Sequence, residues 1–180
     1  MEQIQTAKLI LKTCTLEPDA QTSKGTINQF NTEITFNNIN FRLLLGDMYE
    51  KFDNFNIQLV NITSDDNRTG ELISGNSVSD RIVSVNLRGL NFLNQTYDSN
   101  TNLVGTSVSL ATYVLYDELS KNYTNNIATF TKGNEVCNLT IYFKRVLDDA
   151  FPNCQSSLDF PQMIFLFNIY GIPREIEKLN

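Results

Sequence analysis

The chain has 180 residues, with 14 Lys and Arg against 20 Asp and Glu, a net charge of −6, and neither His nor Trp. That length suits one domain whose core closes without staples, and 41% hydrophobic residues place it among globular chains. Without His there is no imidazole base, no Ser-His or Cys-His pair and no imidazole metal ligand, which excludes the commonest enzyme designs. From the N-terminus, Gln5 to Thr15 sets Ala7, Leu9 and Leu11 against Lys8 and Lys12, the alternation of a half-buried strand. Pro18-Asp19 and Gly25 punctuate it as turns. Phe30, Ile34 and Phe36 predict a second strand, broken at Asn37-Asn38. Phe41, Leu44, Leu45, Met48 and Phe52 then fall at helical spacing behind Asn40, a good N-cap, and predict one helix of about three turns.

Alternation returns from Asn54 to Thr63, with Phe55, Ile57, Leu59 and Asn61 on one face. After a polar loop from Ser64 to Asp80, Arg81 to Leu90 predicts a strand through Ile82, Val83, Val85 and Leu87. Asn91 to Asn102 reads as a loop. Thr106 to Tyr116 reads as a strand with Val108, Leu110, Thr112, Val114 and Tyr116 on one face. Asn122 to Asn126 reads as a turn, and Ile127 to Lys132 as a short strand that Gly133-Asn134 joins as a hairpin to Val136 to Val146. A loop from Asp148 to Pro161 leads into the last strand, Gln162 to Ile172. Eight antiparallel strands in about 170 residues, with one short helix between the second and third, fit a jelly roll of two packed sheets better than an immunoglobulin sandwich. With no repeat or linker, residues 1–180 read as a single domain.

Each candidate site has a plainer structural reading. Asp65-Asp66-Asn67 lacks the spacing and closing Glu of a calcium loop and reads as a solvated turn. Asp148-Asp149 follows Lys144-Arg145 and reads as local charge pairing rather than a carboxylate dyad. Glu17-Pro18-Asp19 is a turn, and Ser74-Gly75-Asn76-Ser77 a loop without a phosphate-binding or nucleophile motif. Cys14 and Cys137 fall inside strand patterns and read as core packing, while Cys154 leaves one disulfide, Cys137 with Cys154, open. Phe92, Tyr97, Tyr113, Tyr116, Tyr123 and Phe151 fit either a sugar-binding platform or an interface. The expectation is therefore no catalytic residue, no cofactor-binding residue and no metal ligand.

Scattered bases and the acidic balance argue against direct nucleic-acid binding. Met1 to Gln5 opens no signal peptide, and Met163 to Phe167 is too short an apolar run to span a bilayer, so a chain made without a secretory route is expected. Sequons at Asn61, Asn67, Asn94, Asn122 and Asn138 occur at close to the frequency that chance supplies.

The stretch FRLLLGDMYEKFDNFNI (Phe41 to Ile57), a helix running into a strand, resembles segments of the single jelly-roll minor capsid and penton proteins of large (giant) double-stranded DNA viruses. LRGLNFLNQTY (Leu87 to Tyr97) is similar in the same way. The resemblance implies a structural virion protein without cofactor or catalysis, synthesised in the host cytoplasm. Its partners would be itself, as a homopentamer at a vertex, and major or other minor capsid proteins. A carbohydrate- or receptor-binding jelly roll is the alternative.

Overall fold

The computed structural model describes residues 5–13, 16, 23–28, 33–64, 82–93, 107–115, 120–146 and 162–173. Apolar side chains at alternate positions turn to one side of each strand, and burying them pairs two antiparallel sheets face to face as a β-sandwich. In chain order the elements are β1 (Thr6–Lys12), β2 (Gly25–Asn28), β3 (Glu33–Asn40), α1 (Phe41–Leu45), α2 (Asp47–Lys51), β4 (Asn54–Ser64), β5 (Ile82–Arg88), β6 (Asn91–Phe92), β7 (Ser107–Leu115), β8 (Ser120–Asn125), β9 (Ile127–Thr131), β10 (Val136–Arg145) and β11 (Met163–Ile172). Sheet A has the order β1-β11-β4-β9-β6, and sheet B the order β2-β3-β10-β5-β7-β8. One buried cluster draws on both sheets, with Phe55, Ile57, Leu59, Phe165 and Phe167 from sheet A facing Val83, Val85, Leu87, Ile141 and Phe143 from sheet B. Phe130 lies in its aromatic part, stacked on Phe55 at 5.5 Å and edge-on to Phe41 and Phe92 at 5.9 and 6.4 Å.

Among the described residues, eleven strand segments stand where eight are expected. Gly25–Asn28 pairs with β3 as a short edge strand instead of serving only as a turn, and Asn91–Phe92 pairs with β9. Most of the turn expected at Asn122 to Asn126 is instead edge strand β8, Ser120–Asn125, paired with β7. The expected break at Asn37-Asn38 is a bulge: β3 continues, Asn38 takes φ 59, and the Asn138 Oδ1 accepts its backbone N–H at 3.0 Å.

Two more bulges change which residues face the core. β4 slips against β11 at Val60, so Ile62 is buried and Asn61 exposed, the reverse of a strict alternation. β7 slips against β5 at Leu110, which buries both Leu110 and Ala111 and carries Tyr113 inward in place of Thr112. The expected single helix is two five-residue pieces. Gly46, at φ 54, ends α1 by donating its N–H to the Arg42 carbonyl and then opens α2. Asn40 caps α1 as expected, its Oδ1 accepting the Leu43 N–H at 2.8 Å. Each helix is far too short to persist alone, so burial of Phe41, Leu45, Met48 and Tyr49 at the end of the sandwich holds them.

Candidate functional site

Gly133-Asn134 does not close a hairpin. β9 belongs to sheet A and β10 to sheet B, so residues 132–135 cross the end of the sandwich between the sheets. The crossing meets α1 and α2 there, tied by the Phe41 N–H to the Glu135 carbonyl at 2.7 Å and the Lys132 N–H to the Asp53 carbonyl at 2.7 Å. Between them lies a cleft of about 130 Å³, lined by Phe41, Tyr49, Phe130, Lys132, Gly133 and Cys137 among others. That volume holds about four waters or one small apolar group.

Two of its polar side chains, Tyr49 and Lys132, are bonded within the fold. The Tyr49 hydroxyl donates to the Gly133 carbonyl at 3.1 Å, and the Lys132 ammonium donates to the Tyr49 carbonyl at 2.9 Å. The same ammonium lies 3.8 Å from the Asp53 carboxylate and 5.0 Å from the centre of the Tyr49 ring. Burial, followed by the Glu135 carboxylate, pushes the Tyr49 hydroxyl above its ordinary range. Cys137 is a free thiol that burial pushes up to about 11, so at neutral pH only about one molecule in ten thousand carries the thiolate. A protonated thiol with no imidazole anywhere in the chain is a poor nucleophile. The cleft is chemically quiet, and its contacts clamp the helices to the crossing.

A second polar cluster lies on the outward face of sheet B. Here Glu33, Tyr142 and Asn86 form one row across β3, β10 and β5, with Thr35, Thr140 and Arg88 as the next. Arg88 bonds Glu33 at 2.8 Å and stacks its guanidinium 5.5 Å over the Tyr142 ring. Thr35 and Thr140 share a hydrogen bond of 2.9 Å, and the Asn86 amide donates to the Ser84 hydroxyl at 3.0 Å. Lys144, 2% exposed, continues this face. The sequence holds no signal for this seam, because its members come from three strands far apart in the chain.

Among the expected candidates, the structure accounts for a few. Phe92 and Tyr113 are buried, at 5% and 2% exposure, so neither offers a surface for stacking a sugar. Cys137 lies in β10, partly buried against the core as expected. The side chains of Asp65, Asp66, Asn67, Asp148, Asp149, Glu17, Pro18, Asp19, Ser74, Asn76, Ser77, Tyr97, Tyr116, Tyr123, Phe151, Cys14 and Cys154, and the backbone of Gly75, lie outside the described residues. Among the described residues, no three His, Cys, Asp or Glu side chains gather as a metal site, and no helix is long and apolar enough to cross a membrane. No protein-family model matches the chain, and no curated protein matches it as a relative.

Proposed function

We propose that the chain is a non-catalytic structural subunit of an icosahedral capsid of a large DNA virus, a penton or minor capsid protein that acts by self-assembly and lattice contacts. The observation that carries this reading is the strand order. With the short β2 and β6 and the edge strand β8 set aside, eight strands remain. Numbered afresh along the chain, they run first-eighth-third-sixth in sheet A and second-seventh-fourth-fifth in sheet B. Two interleaved Greek keys of this order make a jelly roll, the architecture of many capsid subunits. The resemblance of Phe41 to Ile57 and of Leu87 to Tyr97 to minor capsid and penton segments points the same way. A rigid sandwich suits a lattice subunit, whose work is to hold its shape while its surfaces make contacts.

The direct test is the solution mass of the purified chain by multi-angle light scattering over a range of concentrations. A closed ring of five 20.5 kDa chains has a mass of about 100 kDa and is the result expected for a vertex subunit. A mass that stays at one chain at every concentration contradicts self-assembly.

A further inference from the structure

The cleft between the helices and the crossing has an aromatic floor and an uncharged polar rim. Phe41, Phe55 and Phe130, at 3%, 0% and 3% exposure, line its depth, while the exposed Asn91, Gly133 and Asn134 line its mouth. Asn91 stands in β6 and Asn134 in the crossing, and neither side chain has a hydrogen-bond partner among the described residues. The missing side chain of Gly133 makes room for the Asn91 amide, since a Cβ there would come within 2.8 Å of its nitrogen. Lys132, the charged residue of the lining, is already held by the Tyr49 carbonyl and lies 3.8 Å from the Asp53 carboxylate. That pair presents no net charge for an anion to neutralise.

Room for about four waters is room for a group of about four heavy atoms. A group that suits this cleft ends in an apolar atom against the phenyl rings and carries both a donor and an acceptor at the level of the two carboxamides, each of which offers both. An N-acetyl group has that order, with its methyl leading and its carbonyl and N–H behind. The side chain of Asn or Gln has the reverse order and would set its polar end against the rings, and a carboxylate would set a charge there.

We propose that the cleft binds the N-acetyl group of an acetylated amino sugar, its methyl against Phe41, Phe55 and Phe130 and its amide between Asn91 and Asn134. Each carboxamide keeps further donors and acceptors for the hydroxyls of the sugar ring, which the methylene stem of an acetylated lysine would leave unused. The site stands apart from the subunit reading, because it needs no second copy of the chain. A contact of so few atoms gives a dissociation constant on the order of 1–10 mM.

Saturation-transfer difference NMR on the full chain with N-acetylglucosamine tests this in any oligomeric state. The expected result is saturable transfer, strongest at the acetyl methyl, and no saturable transfer to glucose. Asn91→Ala and Asn134→Ala are each expected to weaken binding about five- to tenfold. Gly133→Ala should do the same by displacing the Asn91 amide, and its Cβ meets only the end of that side chain, so the fold stands, which circular dichroism checks. Strongest transfer at ring protons, equal binding of glucose, no saturable transfer up to about 50 mM, or full binding by all three variants overturns the proposal. Binding of N-ε-acetyl-lysine methyl ester as tight as that of the sugar, or tighter, overturns the sugar and assigns the cleft to acetylated lysine. A chain that binds the sugar but stays monomeric loses only the subunit reading, and a chain that assembles but does not bind loses only this site.

Discussion

On the outward face of sheet B, Asn86, Thr140, Tyr142 and Lys144 are polar and buried; on that of sheet A, Ile10, Val60, Ile127 and Ile164 are apolar and exposed. Between these two sets of residues, polarity and burial are reversed. A buried polar row is stable only when its groups are bonded, and on sheet B the Glu33-Arg88 pair, the Thr35-Thr140 bond and the Asn86-Ser84 bond meet that demand. Exposed apolar groups on a flat sheet cost little in an isolated chain but offer a surface to a partner. The difference teaches that sheet B buries and bonds outward polar groups within the chain, whereas sheet A leaves outward apolar groups exposed.

The two lysines test this contrast most strongly. Lys144→Ala is expected to cost about 2–4 kcal/mol, through lost packing of a side chain that is 2% exposed. Lys8→Ala, on the exposed face of sheet A, should fall within about 0.5 kcal/mol of the unaltered chain. Urea denaturation of both variants checks the pair, and equal costs would break the comparison. The next effect is at Arg88. Its removal as Arg88→Ala is expected to cost about 1–2 kcal/mol from a half-buried ion pair and a stacked guanidinium, and Arg88→Lys should restore only part of that. Ile10→Ser, by contrast, should leave the denaturation midpoint nearly unchanged.

Asn40→Ala sharpens the account of the helical end. Loss of the cap on α1 is expected to cost about 1 kcal/mol and to loosen the segment that presents Leu43, with the seam of sheet B untouched. Amide hydrogen exchange should therefore rise at Leu43 and not at Tyr142. The smallest effect is a pH dependence at Cys137. Its thiol is held up to about 11 in the folded chain against an ordinary value near 9, so the folded state keeps its proton where the unfolded state loses it. Stability from this group is complete below pH 9 and lost as pH rises from 9 to 11. Cys137→Ala should flatten that part of the curve relative to the unaltered chain, while the raised hydroxyls of Tyr113 and Tyr49 leave a shared loss above pH 10.

Much of this architecture is written in the alternation of the chain. The strands β1, β5, β9 and β11 stand where their apolar periods put them, and Asn40 marks the helix start. What alternation cannot carry is a change of phase. The extra residues Val60 and Leu110 each shift the inward set by one, and a bulge has no composition of its own. Gly133-Asn134 has the chemistry of a hairpin turn, but whether two strands pair or diverge into different sheets is decided by distant partners. β10 hides a similar lesson. Leu139, Ile141 and Phe143 mark its inward face, while nothing in Thr140, Tyr142 and Lys144 says that the other face is buried too. The helical end was legible only as a single helix, since nothing in the sequence says that Gly46 takes a positive φ there.

The most direct test of a closed sheet B face and an open sheet A face is hydroxyl-radical footprinting of the purified chain at high dilution, read by mass spectrometry. The account predicts that Ile10 and Ile164 are modified while Tyr142 and Lys144 are protected. Protection of Ile10 and Ile164, or free modification of Tyr142, would contradict it.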